Sequence, residues 1–516
     1  MLISALALAL QTTISVGPTQ GVDVQKENEQ ERSRRIPVTE EMRRTAFKDE
    51  AARTLLLKAR EARMTQDSML MSYDAKAYQR ISVGMGLRAL ARERLAFRVE
   101  NAARVRWHRD AGARIQVLGA RAAVPIAGQD VLPARDTDMI PIPYYPGKEQ
   151  LWAGGGMTEL EVDDTELVHP IAVGSEAYYT FATGDSIIMT LPNGTRITLR
   201  ELRITARQPK WNVTVGSFWF ETTTAHLVRA VYRFSTPMDI WAEATREDSA
   251  DMEDVPGWVR GLITPMTADI TSISVEYGLY NQRFWLPKLH GMEGFARVSF
   301  MRIPIKWEER FVYESVNAID SLPAIEFADR TTRSEYRDSL FAAGVDSSKA
   351  REMAREYSQA QDSIVRARRT ETCRTQSSYT VMERRGNGSL PTAVEFPCDS
   401  TLLMRSAELP PSIYDGGEEL FGVEERDQLL ESLTFSLQPG WSPQPPVVEY
   451  GLAFTRFNRI EGFSTGGAIS HTLGSGYTTE VGLRASLADQ QLNGDASLMR
   501  SNGRRTLRAT AYRRLA

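Results

Sequence analysis

Between Leu95 and Trp107 apolar residues alternate with charged ones, so that Leu95, Phe97, Val99, Ala103, Val105 and Trp107 fall on one face of an extended chain and Arg94, Arg98, Glu100, Arg104 and Arg106 on the other. Successive side chains of a strand point to opposite faces, so a segment written this way is a half-buried β-strand. Related patterns recur. Ile187 to Leu191 and Ile197 to Leu199 flank Pro192-Asn193-Gly194, and an Asn-Gly pair supplies the positive φ angles of a tight hairpin. Trp211 to Glu221 is set to pair with Leu227 to Phe234 across three threonines, and further strands are expected over Ile270 to Tyr280, Arg283 to Leu289, Gly294 to Met301 and Lys306 to Tyr313. The expectation for 69–317 is one long antiparallel meander, with a Pro- and Gly-rich insertion from about Asp136 to Pro170 and an irregular or helical one from Asp239 to Gly261.

The same alternation returns after Tyr450. In Tyr477 to Leu487, Thr479, Val481, Leu483, Ala485 and Leu487 share one face, opposed by Glu480, Arg484 and Ser486, and Leu507, Ala509 and Ala511 alternate with Arg508, Thr510 and Tyr512. Strands of roughly ten residues suit an outer-membrane barrel wall. About four or five fit after Tyr450, whereas the smallest closed bacterial barrels need about eight, and open edges do not sit in lipid. The expectation for 451–516 is therefore the start of an incomplete barrel; a small soluble sheet is the alternative.

Helical spacing runs from about Thr39, a candidate N-cap, to Asp67, with Phe47, Ala51, Leu55 and Ala62 on one side and Arg and Glu expected as a solvated face. Residues 318–450 read as a charged, helix-permitting stretch (Asp329 to Arg369), a hairpin and a Pro-rich linker with Pro410-Pro411 and Pro443-Gln444-Pro445-Pro446. The apolar run Met1 to Leu10, with Ala7-Leu8-Ala9 as a small-residue cleavage pattern, is expected as an export signal within 1–20, followed by a polar segment to Arg35. Cys373 and Cys398 flank the hairpin Tyr379 to Glu383 and Thr392 to Phe396, so a disulfide between them would clamp its open ends, which suits an exported protein.

A net charge of −4 over 516 residues argues against nucleic acid as the main partner. The five histidines, His108, His169, His226, His290 and His471, lack metal-ligand spacing and are expected at surfaces or turns. Neither metal nor cofactor is implied. Pairs such as Asp163-Asp164, Glu418-Glu419 and Glu424-Glu425 read as solvated loops. His108-Arg109-Asp110 imitates a kinase catalytic loop but follows a strand as a turn. Gly462-Phe463-Ser464-Thr465-Gly466 fits G-x-S-x-G, yet no acid lies between Ser464 and the last histidine, His471.

Val215-Gly216-Ser217-Phe218-Trp219-Phe220 followed by Leu227-Val228-Arg229-Ala230-Val231, the run Tyr280-Asn281-Gln282-Arg283-Phe284-Trp285-Leu286-Pro287, and Arg456-Phe457-Asn458-Arg459-Ile460-Glu461-Gly462 resemble an uncharacterised family of gram-negative outer-membrane proteins. That resemblance implies a C-terminal β-barrel and, in many members, a carboxypeptidase-regulatory-like domain that this sequence lacks. The strand pattern is also similar to the LolA-type lipoprotein-carrier fold, a curved antiparallel sheet around a helix. This second resemblance implies lipid or acyl-chain handling, with Phe97, Val99, Trp107, Phe218, Phe220 and Leu286 as candidate lining of an apolar cavity. The chain is accordingly expected to be mainly β: a half-barrel with an amphipathic helix, a linker and an incomplete barrel. Its expected role is that of a non-enzymatic outer-membrane protein with a periplasmic domain, whose partners are the membrane or its lipids, lipoprotein or acyl chains. The alternatives are a soluble periplasmic carrier and a hydrolase with an unrecognised site.

Overall fold

A computed structural model describes residues 36–87, 94–124, 129–131, 140–146, 151–153, 167–190, 194, 196–247, 266–299, 301–325, 333–385, 390–409, 446–450, 455–458, 462–474, 477–486, 488, 492–501 and 506–513. The expected export signal, the three acidic pairs, Pro410-Pro411 and Pro443-Gln444-Pro445 lie outside them. Helices α1 (Glu40–Thr45) and α2 (Glu50–Met69) precede β1 (Ser72–Leu87), β2 (Arg94–His108), β3 (Gly112–Val124) and the short β4 (Gln129–Val131). A 3-10 turn (Ser175–Ala177) leads into β5 (Tyr179–Thr190), β6 (Arg196–Ala206), β7 (Thr214–Glu221), β8 (Leu227–Phe234), β9 (Met238–Asp239), α3 (Ile240–Glu247), β10 (Met266–Tyr280), β11 (Phe284–Val298) and β12 (Met301–Val316). Next come α4 (Arg333–Ala342), α5 (Ser347–Thr375), the hairpin β13 (Ser378–Arg385) and β14 (Leu390–Pro397), and α6 (Ser400–Met404). The last strands are β15 (Val447–Tyr450), β16 (Arg456–Asn458), β17 (Gly462–Gly474), β18 (Tyr477–Ser486), β19 (Leu492–Ser501) and β20 (Thr506–Arg513).

The fold is mainly β, with large curved antiparallel sheets and few helices, and no barrel is closed among the described residues. Fourteen strands make the first sheet, in the order β13-β14-β3-β2-β1-β12-β11-β10-β8-β7-β6-β5, with β4 beside β3 and β9 beside β10. Successive hairpins account for most of it. Three joins are not between consecutive strands: β10 pairs with β8 past β9 and α3, Ile273 opposite Tyr232; β1 pairs with β12, Tyr73 opposite Val316 and Val83 opposite Ile305; and β14 runs parallel to β3, Thr392 opposite Ala113. The hairpin assigned from sequence to the linker is thus an edge of the main sheet. Gly112 lets it approach: at φ +84, a Cβ there would stand 2.2 Å from the Pro391 carbonyl oxygen. A second, six-stranded sheet has the order β15-β17-β18-β19-β20, with β16 beside β17.

The single helix expected from Thr39 to Asp67 is two. Thr39 does cap α1, but the chain leaves the helix at Ala46, where the edge strand β5 takes it: Phe181 N donates to Ala46 O at 2.7 Å and Lys48 N to Phe181 O at 2.9 Å. Asp49 then restarts the helix, its Oδ1 accepting from Ala52 N at 2.8 Å and its Oδ2 from Thr183 N at 2.9 Å. Arg60, expected on a solvated face, is buried: Nε donates to Ile171 O and Nη2 to Ala172 O, each at 2.8 Å, and Nη1 pairs with Glu176 Oε1 at 2.8 Å. Gln66 closes the far end, donating to Trp285 O at 2.9 Å and accepting from Trp285 N at 2.8 Å. These anchors hold α2 against the sheet.

The stapled sheet edge and the α2 anchors can each be tested by thermal melts. Cys373 and Cys398 form a disulfide across 25 residues, with Cα atoms 5.5 Å apart. Opening it by Cys398→Ser should cost about 3 kcal/mol by loop-closure entropy, read as a lower Tm that reductant reproduces in the parent chain; no shift would mean that the sheet edge needs no staple. Acid should loosen α2. Burial pushes the Asp49 and Glu176 carboxyls up, but hydrogen bonds from Thr183 and Ala52 to the first, and the hydrogen bond and charge of Arg60 on the second, outweigh it and leave both low. Burial, with the Arg63 charge, pushes His169 well below its ordinary 6.5. In every case the unfolded chain binds protons first, so stability falls as pH drops below 6.5 and again below 4.5 and 3.8, the unfolded values of the three groups. Thermal melts from pH 7 to 3 should show this fall, and Glu176→Gln should flatten its lower part; a flat profile would contradict it.

Candidate functional site

A sheet this wide has to hide its apolar face, and two pieces of chain cover it. Over β5–β8 and β10–β12 lies α2, with Ala52, Leu56 and Ala59 packed on Phe181, Leu202, Phe218, Tyr232 and Ile273. Over β1–β3 lies an extended strap from the Pro-rich insertion, whose Ile140, Ile142 and Tyr144 pack with Tyr73, Trp107, Ile115, Leu286 and Phe311. The Tyr73 hydroxyl donates to Tyr144 O at 2.7 Å.

A polar row crosses the same face. Asn101, Gln79, Glu309 and His290 stand opposite one another on β2, β1, β12 and β11. Asn101 Nδ2 donates to Gln79 Oε1 at 3.1 Å and Gln79 Nε2 to Glu309 Oε1 at 3.3 Å, and His290 Nδ1 lies 3.1 Å from Glu309 Oε2. Trp307 Nε1 and Trp152 Nε1, each at 3.0 Å, complete the set around Glu309. The carboxylate is all but fully buried, and its many partners make that tolerable. Trp152 belongs to the covering segment, so the row also fastens the cover.

A cavity lies beneath α2, lined by Arg63, Gln66, Tyr144, Phe220, His226, Tyr277 and Trp285 among others. Its volume is about 30 Å³, room for one or two waters and far from an acyl chain. Burial pushes His226 down, the Glu221 charge opposing, and pushes the Tyr277 and Tyr144 hydroxyls up. All three are thus held neutral near pH 7, and His226 Nδ1 has no hydrogen-bond partner among the described residues.

Of the six expected lining residues only Phe220 reaches this cavity. Phe218 packs beside it under α2, whereas Trp107, stacked on Tyr73 at 5.4 Å, and Leu286 lie under the strap. Val99 sits with Ile81 and Ala122, and Phe97 is 37% exposed. Sequence reasoning missed Arg63 and Gln66, although with Ala59 they recur at helical spacing on one face. His108 stands at the turn from β2 to β3, one of the two positions expected for it, and His108, His169 and His290 are all buried rather than at a surface. Among the described residues no group of three or more His, Cys, Asp or Glu is placed to hold a metal. His108-Arg109-Asp110 is the turn from β2 to β3, and Ser464 lies inside strand β17, where no helix follows to make a nucleophile elbow.

The second sheet sorts its residues the opposite way. Phe463, Ile469 and Leu473 of β17, Val481 and Leu483 of β18, and Leu492 and Leu498 of β19 are exposed, while Ser464, Ser486, Asn493 and Ser497 are buried. Register confirms two faces: Ser464 stands opposite Ser486 and Arg484 opposite Asn493, whereas Ile469 stands opposite Val481 and Ala485 opposite Leu492. An apolar outer face with a polar inner one is the arrangement of a membrane barrel wall.

No known family profile and no curated protein matches the chain. Among solved structures it is similar to a LolA superfamily protein from Nitrosomonas europaea, at 12% identity over 53% of this chain and 94% of that one, TM-score 0.16. It is also similar to an outer membrane lipoprotein-sorting protein domain from Vibrio parahaemolyticus, at 11% identity over 52% and 95%, TM-score 0.17. A third likeness is to the MucA/MucB complex of Pseudomonas aeruginosa, at 9% identity over 51% and 94%, TM-score 0.14.

Proposed function

We propose that the chain is a non-enzymatic envelope protein held in the outer membrane by its C-terminal strands, with the fourteen-stranded sheet as a periplasmic domain and membrane lipid or lipoprotein as its partner. The observation that carries this reading is the inverted sorting of the six-stranded sheet. In water, the exposed Phe463, Ile469, Leu483 and Leu498 would form an apolar patch with nothing to cover it among the described residues; in hydrocarbon they match their solvent. The Cys373–Cys398 disulfide supports an oxidising compartment such as the periplasm.

A soluble lipid carrier is the second reading, favoured by the partly apolar gap between α2 and the sheet. At about 30 Å³ that gap has to open before it holds a chain, and the anchors at Asp49, Arg60 and Gln66 oppose opening. A diacyl lipid retained by protein from the soluble periplasmic fraction would make the carrier the better reading.

Full-length protein is expected in outer-membrane fractions after a urea wash, with heat-modifiable migration on gels; recovery in the soluble fraction sinks the membrane reading. Leu483→Arg should weaken insertion by about 2–4 kcal/mol if the residue sits near the bilayer midplane, while Leu483→Phe is retained. Equal retention of both variants would place that face out of lipid.

A further inference from the structure

Resting on the outer-membrane reading, we propose that the rim of the first sheet made by the β1/β2 and β11/β12 hairpins docks on an anionic phospholipid leaflet, its apolar side chains entering the acyl boundary and its arginines meeting headgroup phosphates. The two hairpins turn at the same end of the sheet, because β1 pairs with β12 as far as Leu87 opposite Met301. Alternation gives this rim two lips. The inner lip is apolar. Phe97 is 37% and Met85 43% exposed, Phe97 stands opposite Val83, two positions before Met85, and Val298 stands opposite Met301, both half-buried. Phe97 and Met85 belong neither to the core beneath α2 nor to the one beneath the strap.

The outer lip is basic. Arg297 and Arg302 stand directly opposite each other on β11 and β12, a like-charge pair that a sheet disfavours. Asp269, opposite Phe295, lies in the field of both and of Arg233, so three guanidinium groups gather around one carboxylate, while the nearby Glu293 stands opposite Lys306. Arg302 stacks over the Phe295 ring with Cζ 4.2 Å from its centroid, and Arg297 Cζ lies 5.7 Å from it, which holds both side chains on this lip. Apolar groups on one lip and guanidinium groups on the other match the two layers of a bilayer interface, acyl chains and the phosphates that border them. The course of the chain fits this end. β14 runs along β3 from Thr392 beside Ala113 to Glu395 beside Gln116, and Ser406 and Leu409 lie against Gly119, so the path toward the C-terminal strands climbs β3 toward the rim.

Fluorescence quenching in the full chain tests this, since its two native cysteines are joined in a disulfide and a new thiol is labelled alone. Phe97→Cys carries a nitrobenzoxadiazole dye on the rim, and Ile188→Cys, 63% exposed near the end of β5 at the opposite end of the sheet, carries it as the control. The chain is reconstituted into vesicles of phosphatidylethanolamine and phosphatidylglycerol that contain a doxyl-labelled lipid. Heat-modifiable migration checks folding, and Met85→Cys replaces Phe97→Cys if that variant does not fold. The rim dye should be quenched and blue-shifted, and the control dye should not. The Arg297→Gln/Arg302→Gln double variant should shift the docked population toward the free one by about thirtyfold, and vesicles of phosphatidylcholine alone should act in the same direction. An unquenched rim dye in a chain that stays in the vesicles overturns the docking and leaves the membrane reading intact. Equal quenching of both dyes overturns the docking too, as does quenching indifferent to the arginines and to lipid charge. A chain recovered from the soluble fraction whose rim dye is still quenched by added vesicles upholds the docking and overturns anchoring by the C-terminal strands; one whose rim dye is not quenched overturns both.

Discussion

The first domain depends on how α2 is fixed. A helix packed on a sheet by apolar contacts alone can slide or roll, because dispersion and burial are non-directional. Here direction comes from three polar side chains along the helix. Asp49 ties its start to β5, Arg60 reaches the backbone ahead of the 3-10 turn, and Gln66 takes both backbone groups of Trp285. Each hydrogen bond adds about 1 kcal/mol net, but losing one strands a buried partner at greater cost, so the anchors fix position more than they add stability. Leu56 and Ala59 then meet the aromatic floor of β5, β7 and β8 in one register, and the space left is water-sized.

The polar row across β2, β1, β12 and β11 does comparable work on the sheet itself. A one-residue slip between β1 and β12 would move Gln79 to the other face and leave Glu309 buried without it, so the row specifies the non-local join that unites the two sets of hairpins. Because Trp152 also ends on Glu309, the segment that covers the face and the register beneath it are coupled through one carboxylate.

What was legible in the sequence was local. Hairpins declare themselves through alternation and turn chemistry, and β7/β8, β10/β11 and β13/β14 fall where those signals stand. The joins β1/β12 and β14/β3 bring together segments hundreds of residues apart, for which alternation names no partner. The break between α1 and α2 was hidden because Phe47 keeps helical spacing; an edge strand needing a partner outweighed it. Arg60 was misplaced on a solvated face because residue type does not reveal carbonyls supplied from Ile171 and Ala172, over a hundred positions away. The proposed lining failed to gather at one site for a related reason: strand parity assigns a face, but which part of a wide face a helix covers is a tertiary fact.

Both sheets are written in the same period of two, and the period alone cannot say which face meets water. Side-chain size decides it. In the first sheet the hidden face carries Tyr73, Trp107, Phe218 and Phe311, large apolar groups that fill volume, and the row around Glu309 is satisfied within the protein. In the second the buried residues are Ser464, Ala468, Ser486, Asn493 and Ser497, while Phe463, Leu483 and Leu498 are exposed. Filling needs bulk, so the first pattern closes on itself, whereas the small polar groups hidden in the second supply little apolar volume and leave its large apolar side chains exposed.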